Sequence, residues 1–146
     1  MKRRLAREMV VSSLYQLELN DVQVFEALEM IIEEIKIDDE VSDKVSDEAT
    51  DEFARKLLLG VHEHKVAIDD LLTTHLTGWQ VDRLSRVDLQ ILRLACFEMI
   101  FSKDAPPKVA VNEAIELAKH FGTDESGKFV NGVLAKLLQN LDLEKA

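Results

Sequence analysis

From Arg86 to Phe101 the chain places Val87, Ile91, Leu92, Leu94, Ala95, Phe97 and Ile100 on nearly every side of a helix. A helix that is apolar all round has to be covered all round, so this segment belongs in the middle of a helical bundle. Its start is marked by Ser85, with Asp88 three positions on as the acceptor that completes a capping box. Pro106 and Pro107 stop any continuation and set the start of the next helix.

The other segments supply the cover. Ala6, Val10, Leu14 and Leu17 recur at spacings of four, four and three, which puts them on one helical face. Asn20 and Asp21 end that helix, and either can cap a second one through Val24, Leu28, Ile31 and Ile35. A single long third helix is predicted through Phe53, Leu57, Val61, His64, Ile68 and Leu71. Gly78 breaks the pattern before Trp79, and a short helical turn follows up to Leu84. After the central helix come one through Val111, Ile115, Ala118 and Phe121, with Gly122 as the left-handed residue past its end, and a last one through Val133, Leu137 and Leu141. Five Gly and two Pro in 146 residues leave too little turn material for an all-β fold. The expectation is one all-α domain over residues 1–146.

Cys96 is the lone cysteine, so no intramolecular disulfide forms, and a reducing cytoplasm fits. No run approaches the ~18 apolar residues of a membrane span, and no signal-peptide pattern follows the basic start. The net charge of −10 argues against a polyanionic partner, but it is unevenly spread. Residues 31–52 hold ten acids against Lys36 and Lys44 and read as a solvated acidic loop. Lys2, Arg3, Arg4 and Arg7 stand against Glu8 alone within the first ten residues. Because exposed charges are screened beyond about 8 Å at physiological salt, a basic end can meet phosphates while an acidic edge faces elsewhere.

Catalytic signatures are missing. There is no Gly-rich phosphate loop of either common spacing. His62 and His64 lie two apart and so point about 200° apart on a helix, which prevents them from sharing a metal. Glu116 and His120 are suitably spaced but have no third ligand nearby. No metal or other cofactor is expected. Cys96 sits in the most apolar helix and reads as a small buried hydrophobe rather than a nucleophile.

Two features do carry chemistry. Arg3 and Arg7 are one turn apart on one face with Arg4 adjacent, so with Lys2 they can line a phosphate track. A bare solubilising end is the alternative. In the second feature, Phe121 and Phe129 flank a small polar loop, with a helix start near Ser126 whose backbone donors favour an anion. The rings either stack on unpaired bases or belong to the core.

The segments WQVDRLSRVDLQILR (Trp79 to Arg93), PPKVAVNEAIELAKHFG (Pro106 to Gly122) and SGKFVNGVL (Ser126 to Leu134), with RRLAREMVVSSLYQ at Arg3 to Gln16, closely resemble the NusB family of bacterial transcription antitermination factors. They cover about half the chain in the family's order. The resemblance implies about seven helices in two packed halves, no catalysis, pairing with the small-subunit ribosomal protein NusE, and binding of single-stranded boxA RNA during ribosomal RNA transcription. The RNA polymerase elongation complex is then reached indirectly. The family's RNA surface carries over to Lys2, Arg3, Arg4, Arg7, Phe121, Glu125, Lys128 and Phe129, with Glu125 moderating affinity by repulsion and Leu5 standing where relatives often have a further Arg. NusE docking carries over to Tyr15 and Asp88, with Asp82 and Arg86 beside them. Gly132 is expected to let another helix approach. The alternatives are a NusB-like domain of the kind fused to RNA methyltransferases, a helical scaffold that binds protein only, and a homodimer of the free chain.

Overall fold

The computed structural model describes residues 1–38, 47–75, 84–102 and 104–141. These residues form seven α-helices and no strand: α1 (Arg3–Leu19), α2 (Val24–Asp38), α3 (Glu48–Glu63), α4 (Lys65–His75), α5 (Arg86–Cys96), α6 (Pro107–Phe121) and α7 (Asp124–Asn140). The chain divides into two compact units, Met1–His62 and Glu63–Ala146.

In the first unit the spacing read from the sequence becomes a core. Ala6, Met9, Val10 and Leu14 of α1 are buried with Ala27, Leu28, Ile31 and Ile32 of α2 and Ala54, Leu57, Leu58 and Val61 of α3. Each large side chain buried here contributes about 1.5–3 kcal/mol. α1 ends where Asn20 turns extended and its N–H reaches the Gln16 carbonyl at 2.8 Å. The Asn20 amide also turns back, to Gln16 Oε1, and the first turn of α2 is held instead by Glu26, whose Oε2 accepts from the Gln23 N–H at 3.4 Å. The acidic stretch is not one loop, because residues 31–38 continue α2 and residues 48–52 open α3. Carboxylates on a helix's exposed face cost nothing in solvation, so charge density alone did not mark a break.

The second unit is built on α5. Every residue from Leu89 to Met99 is buried, and the helix packs against α4, α6 and α7. Ser85 caps it as expected, its Oγ accepting from the Asp88 N–H at 3.1 Å. Burial pushes the Cys96 thiol up to about 12, with the Asp69 carboxylate adding to the shift, so at neutral pH it is an unreactive thiol. Beyond Cys96 the chain widens into a π-helical segment, Phe97–Ser102. Phe97 and Phe101 there meet the His64 ring at centroid distances of 5.6 and 4.3 Å. His64 is the one-residue break between α3 and α4, so the single long third helix is two helices. Nothing in Glu63-His64-Lys65 disfavours helix; the ring contacts are tertiary.

Three glycines correct the sequence reading. Gly122 ends α6 at φ −129°, ordinary negative φ rather than left-handed. A Cβ there would stand 2.6 Å from Ser126 Oγ and 3.1 Å from the Ala118 carbonyl, so lack of room selects glycine. The helix approach expected at Gly132 occurs at Gly127, where a Cβ would press on Lys119 Cγ at 3.1 Å across the α6–α7 contact. Gly132 itself is exposed, with open space around it. The segment containing Gly78 and Trp79 lies outside the described residues.

Candidate nucleic-acid interface

α1 begins against the grain of its own dipole. Lys2 is the extended residue before it, Arg3 and Arg4 open it, and no acid lies in its first turn. Cations at the positive end of a helix cost about 0.3–1 kcal/mol each. Placed there, they join the helix end in attracting an anion. Lys2, Arg3 and Arg4 are all exposed.

Their position is fixed by the start of α3. The Lys2 N–H donates to Thr50 Oγ1 at 2.8 Å, and the Thr50 side chain is wholly buried. The Thr50 N–H in turn donates to Asp47 Oδ1 at 2.7 Å, and the terminal ammonium stands 3.5 Å from Asp47 Oδ2. Hydrogen bonds from Thr50 hold the Asp47 carboxyl below its usual range against desolvation, and the ammonium's charge adds to them. The guanidinium carbons of Arg3 and Arg7 lie 5.4 and 5.7 Å from the centroid of the Phe53 ring. Arg3 and Arg7 do share a face, but Arg7 is only 4% exposed, so its guanidinium is turned to the protein rather than outward. One member of the acidic stretch, Asp47, stands beside the basic end, and Thr50 and Phe53 touch residues 2, 3 and 7.

In the second unit, Phe121 closes α6 and Phe129 lies in the second turn of α7; both rings are half-buried. His120 meets Phe121 edge to face at 4.8 Å. α7 starts at Asp124, two residues earlier than expected, with Thr123 Oγ1 accepting from the Ser126 N–H at 3.4 Å. Its first turn carries Asp124 and Glu125, which already complement the helix dipole and repel a phosphate. The backbone anion site expected at Ser126 is therefore disfavoured. Lys128, highly exposed, lies 3.7 Å from Glu125.

Of the residues expected to face a protein partner, Tyr15 is half-buried on α1 and Arg86 is exposed at the start of α5. Asp88 is half-buried, and desolvation raises its carboxyl above the usual range although the Ser85 hydroxyl bond pulls the other way. Asp82 lies outside the described residues. The structure thus gathers Lys2, Arg3, Arg4 and Arg7 on one helix start, Phe121, Glu125, Lys128 and Phe129 on the end of α6 and the first two turns of α7, and Arg86 with Asp88 on one turn. Sequence reasoning missed Asp47, Thr50 and Phe53. Phe53 opens the apolar stripe of α3 and reads as core, and no local pattern ties residue 53 to residue 3.

These features define a helical protein with a cationic helix start and a half-exposed aromatic connector. Among the described residues no helix is long and apolar enough to cross a membrane. The chain belongs to the NusB family, whose model matches residues 4–139. It is 42% identical over 142 residues to the transcription antitermination protein NusB of Bacillus subtilis (strain 168), covering 97% of this chain and 98% of that one. Among solved structures it resembles T. maritima NusB, at 38% identity and TM-score 0.79, covering 95% of this chain and 92% of that one. A crystal structure of the antitermination factors NusB and NusE in complex with dsRNA contains a chain 29% identical to it, with TM-score 0.81 and coverage of 94% and 96%.

Proposed function

We propose that this protein is a cytoplasmic, non-catalytic transcription antitermination factor that pairs with NusE and binds the single-stranded boxA element of ribosomal RNA transcripts. The elongating RNA polymerase is engaged through that complex. The observation that carries the reading is the exposed Lys2, Arg3 and Arg4 at the amino end of α1, a place where cations oppose folding and favour a bound polyanion. Arg7, packed beneath them, adds positive potential without presenting its guanidinium. Phe121 and Phe129 contribute stacking faces and Lys128 a further phosphate contact, with Glu125 moderating it. Tyr15, Arg86, Asp88 and Asp82 face NusE. The half-buried Asp88 suits a cationic group on the partner, because its charge is under-solvated in the free protein.

A second reading, duplex RNA as the ligand, is favoured by the dsRNA in the solved NusB and NusE complex. One titration separates the two: boxA single strand, scrambled single strand and duplex, each with and without NusE, over a salt series. Three phosphate contacts from Lys2, Arg3 and Arg4 give a single-strand slope of log K against log salt of about −2, and Lys128 as a fourth brings it near −3. Tighter binding of boxA than of scrambled strand or duplex, strengthened by NusE, is the expected result. Salt-independent binding, or none with NusE present, refutes the reading, and preference for the duplex selects the alternative. Changing Lys2, Arg3 and Arg4 to Ala abolishes most of the slope and leaves the thermal midpoint unchanged or slightly raised, since the helix dipole is relieved.

A further inference from the structure

We infer that Phe53 is a positioning residue for RNA binding: its ring holds the exposed Arg3 guanidinium, with buried Arg7 against the same ring, so that the basic start of α1 meets phosphates already arranged. The inference rests on the RNA-binding reading above and deepens it.

The contact is built from both sides. Asp47 stands just before α3, and Thr50 and Phe53 follow it at three-residue intervals in the first turns, so the three line one stripe. On α1, Arg3 and Arg7 are one turn apart on one face. The Lys2 N–H to Thr50 Oγ1 bond fixes where α1 begins relative to that stripe. Phe53 then lies within cation–π range of two guanidinium groups at once, at 5.4 and 5.7 Å.

Packing alone does not account for the ring. Its neighbours Ala54, Leu57 and Leu58 are essentially inaccessible, whereas Phe53 is only half-buried at the edge of the core. A leucine would serve that edge without offering a negative face to a cation. An arginine free in solution loses rotamer freedom when it grips a phosphate, whereas one already resting on a ring loses less. Ordering by the ring therefore appears as affinity, while the number of phosphates neutralised, and hence the salt slope, stays the same.

The test compares Phe53→Leu and Phe53→Trp, alone and with Arg3→Ala, in full-length protein. Binding of boxA single strand is measured with NusE over a salt series, and thermal unfolding is measured in parallel. Phe53→Leu is expected to weaken RNA binding about fivefold or more with the salt slope unchanged. Phe53→Trp, with the stronger quadrupole, retains wild-type affinity. In the Arg3→Ala background the leucine substitution costs less than in wild type, because one of the two cations it served is gone. In the free protein, the Arg3 side-chain Nε–H resonance shifts between wild type and Phe53→Leu as the ring current is lost.

Equal affinity of wild type and Phe53→Leu overturns the inference and leaves the RNA-binding reading standing. So do losses of affinity that track loss of thermal stability in Leu and Trp alike, or a full independent effect in the Arg3→Ala background. Failure of the wild type itself to bind RNA removes the reading and the inference with it.

Discussion

Asp47 shows how one exposed side chain at the turn into α3 governs the basic end. Its carboxylate accepts from the Thr50 N–H and attracts the terminal ammonium, and these interactions hold its pKa below the usual value. A depressed acid contributes stability that is present above its unfolded value and lost as pH falls through the folded one. The N-terminal segment should therefore loosen from α3 only below about pH 4. Followed by the amide resonances of Lys2 and Thr50, wild type and Asp47→Asn should differ at neutral pH and converge on acidification. A difference that persists at low pH would mean that charge is not what Asp47 supplies. At this scale the sequence revealed which arginines share a face, because a four-residue spacing is local. It could not reveal that Arg7 is buried or that Phe53 receives it, because a chain fold separates those residues by forty-six positions.

The second unit depends on a tie between two elements. Arg93 of α5 donates from Nε to Asp69 Oδ1 and from Nη2 to Asp69 Oδ2 of α4, both at 2.9 Å, and from Nη1 to Gln90 Oε1 at 3.2 Å. The arginine side chain is 6% exposed, so removing the carboxylate takes away the counter-charge of a buried guanidinium. Asp69→Ala should cost about 3–5 kcal/mol, whereas Asp69→Leu with Arg93→Met should cost far less. Urea unfolding of the three proteins checks this, and equal losses would place the energy in packing rather than charge. The elements legible in the sequence were those with local punctuation: Ser85 before α5, Pro107 at the start of α6 and the apolar stripe of α1. Those missed had no local mark. The break at His64 coincides with its contacts to Phe97 and Phe101, and the π-helical widening that carries those rings has no composition of its own. Gly122 was recognised as punctuation for the wrong reason, since its φ is negative and a Cβ on this backbone would crowd Ser126 and the Ala118 carbonyl.

For the whole molecule the question is how the proposed RNA binding is compatible with a net charge of −10. The range of the field decides. At 0.15 M salt the screening length is about 8 Å, so a phosphate beside Lys2, Arg3 and Arg4 feels those cations and little of the rest. At 0.01 M it is about 30 Å, the span of a small domain, and the overall negative charge opposes the approach. The linear rise of affinity that counterion release produces on lowering salt should therefore flatten at the dilute end. Exposed Glu33 and Glu34 of α2 offer a way to test this, since they belong to the acidic stretch and play no part in the basic contact with α3. Changing both to Gln lowers the net negative charge by two. It should tighten RNA binding at 0.01 M salt by about twofold or more and leave it within error at 0.15 M. Fluorescence anisotropy of labelled boxA strand across that range provides the measurement. An equal gain at every salt concentration would instead place these carboxylates beside the RNA and make the repulsion local rather than a property of the whole charge distribution.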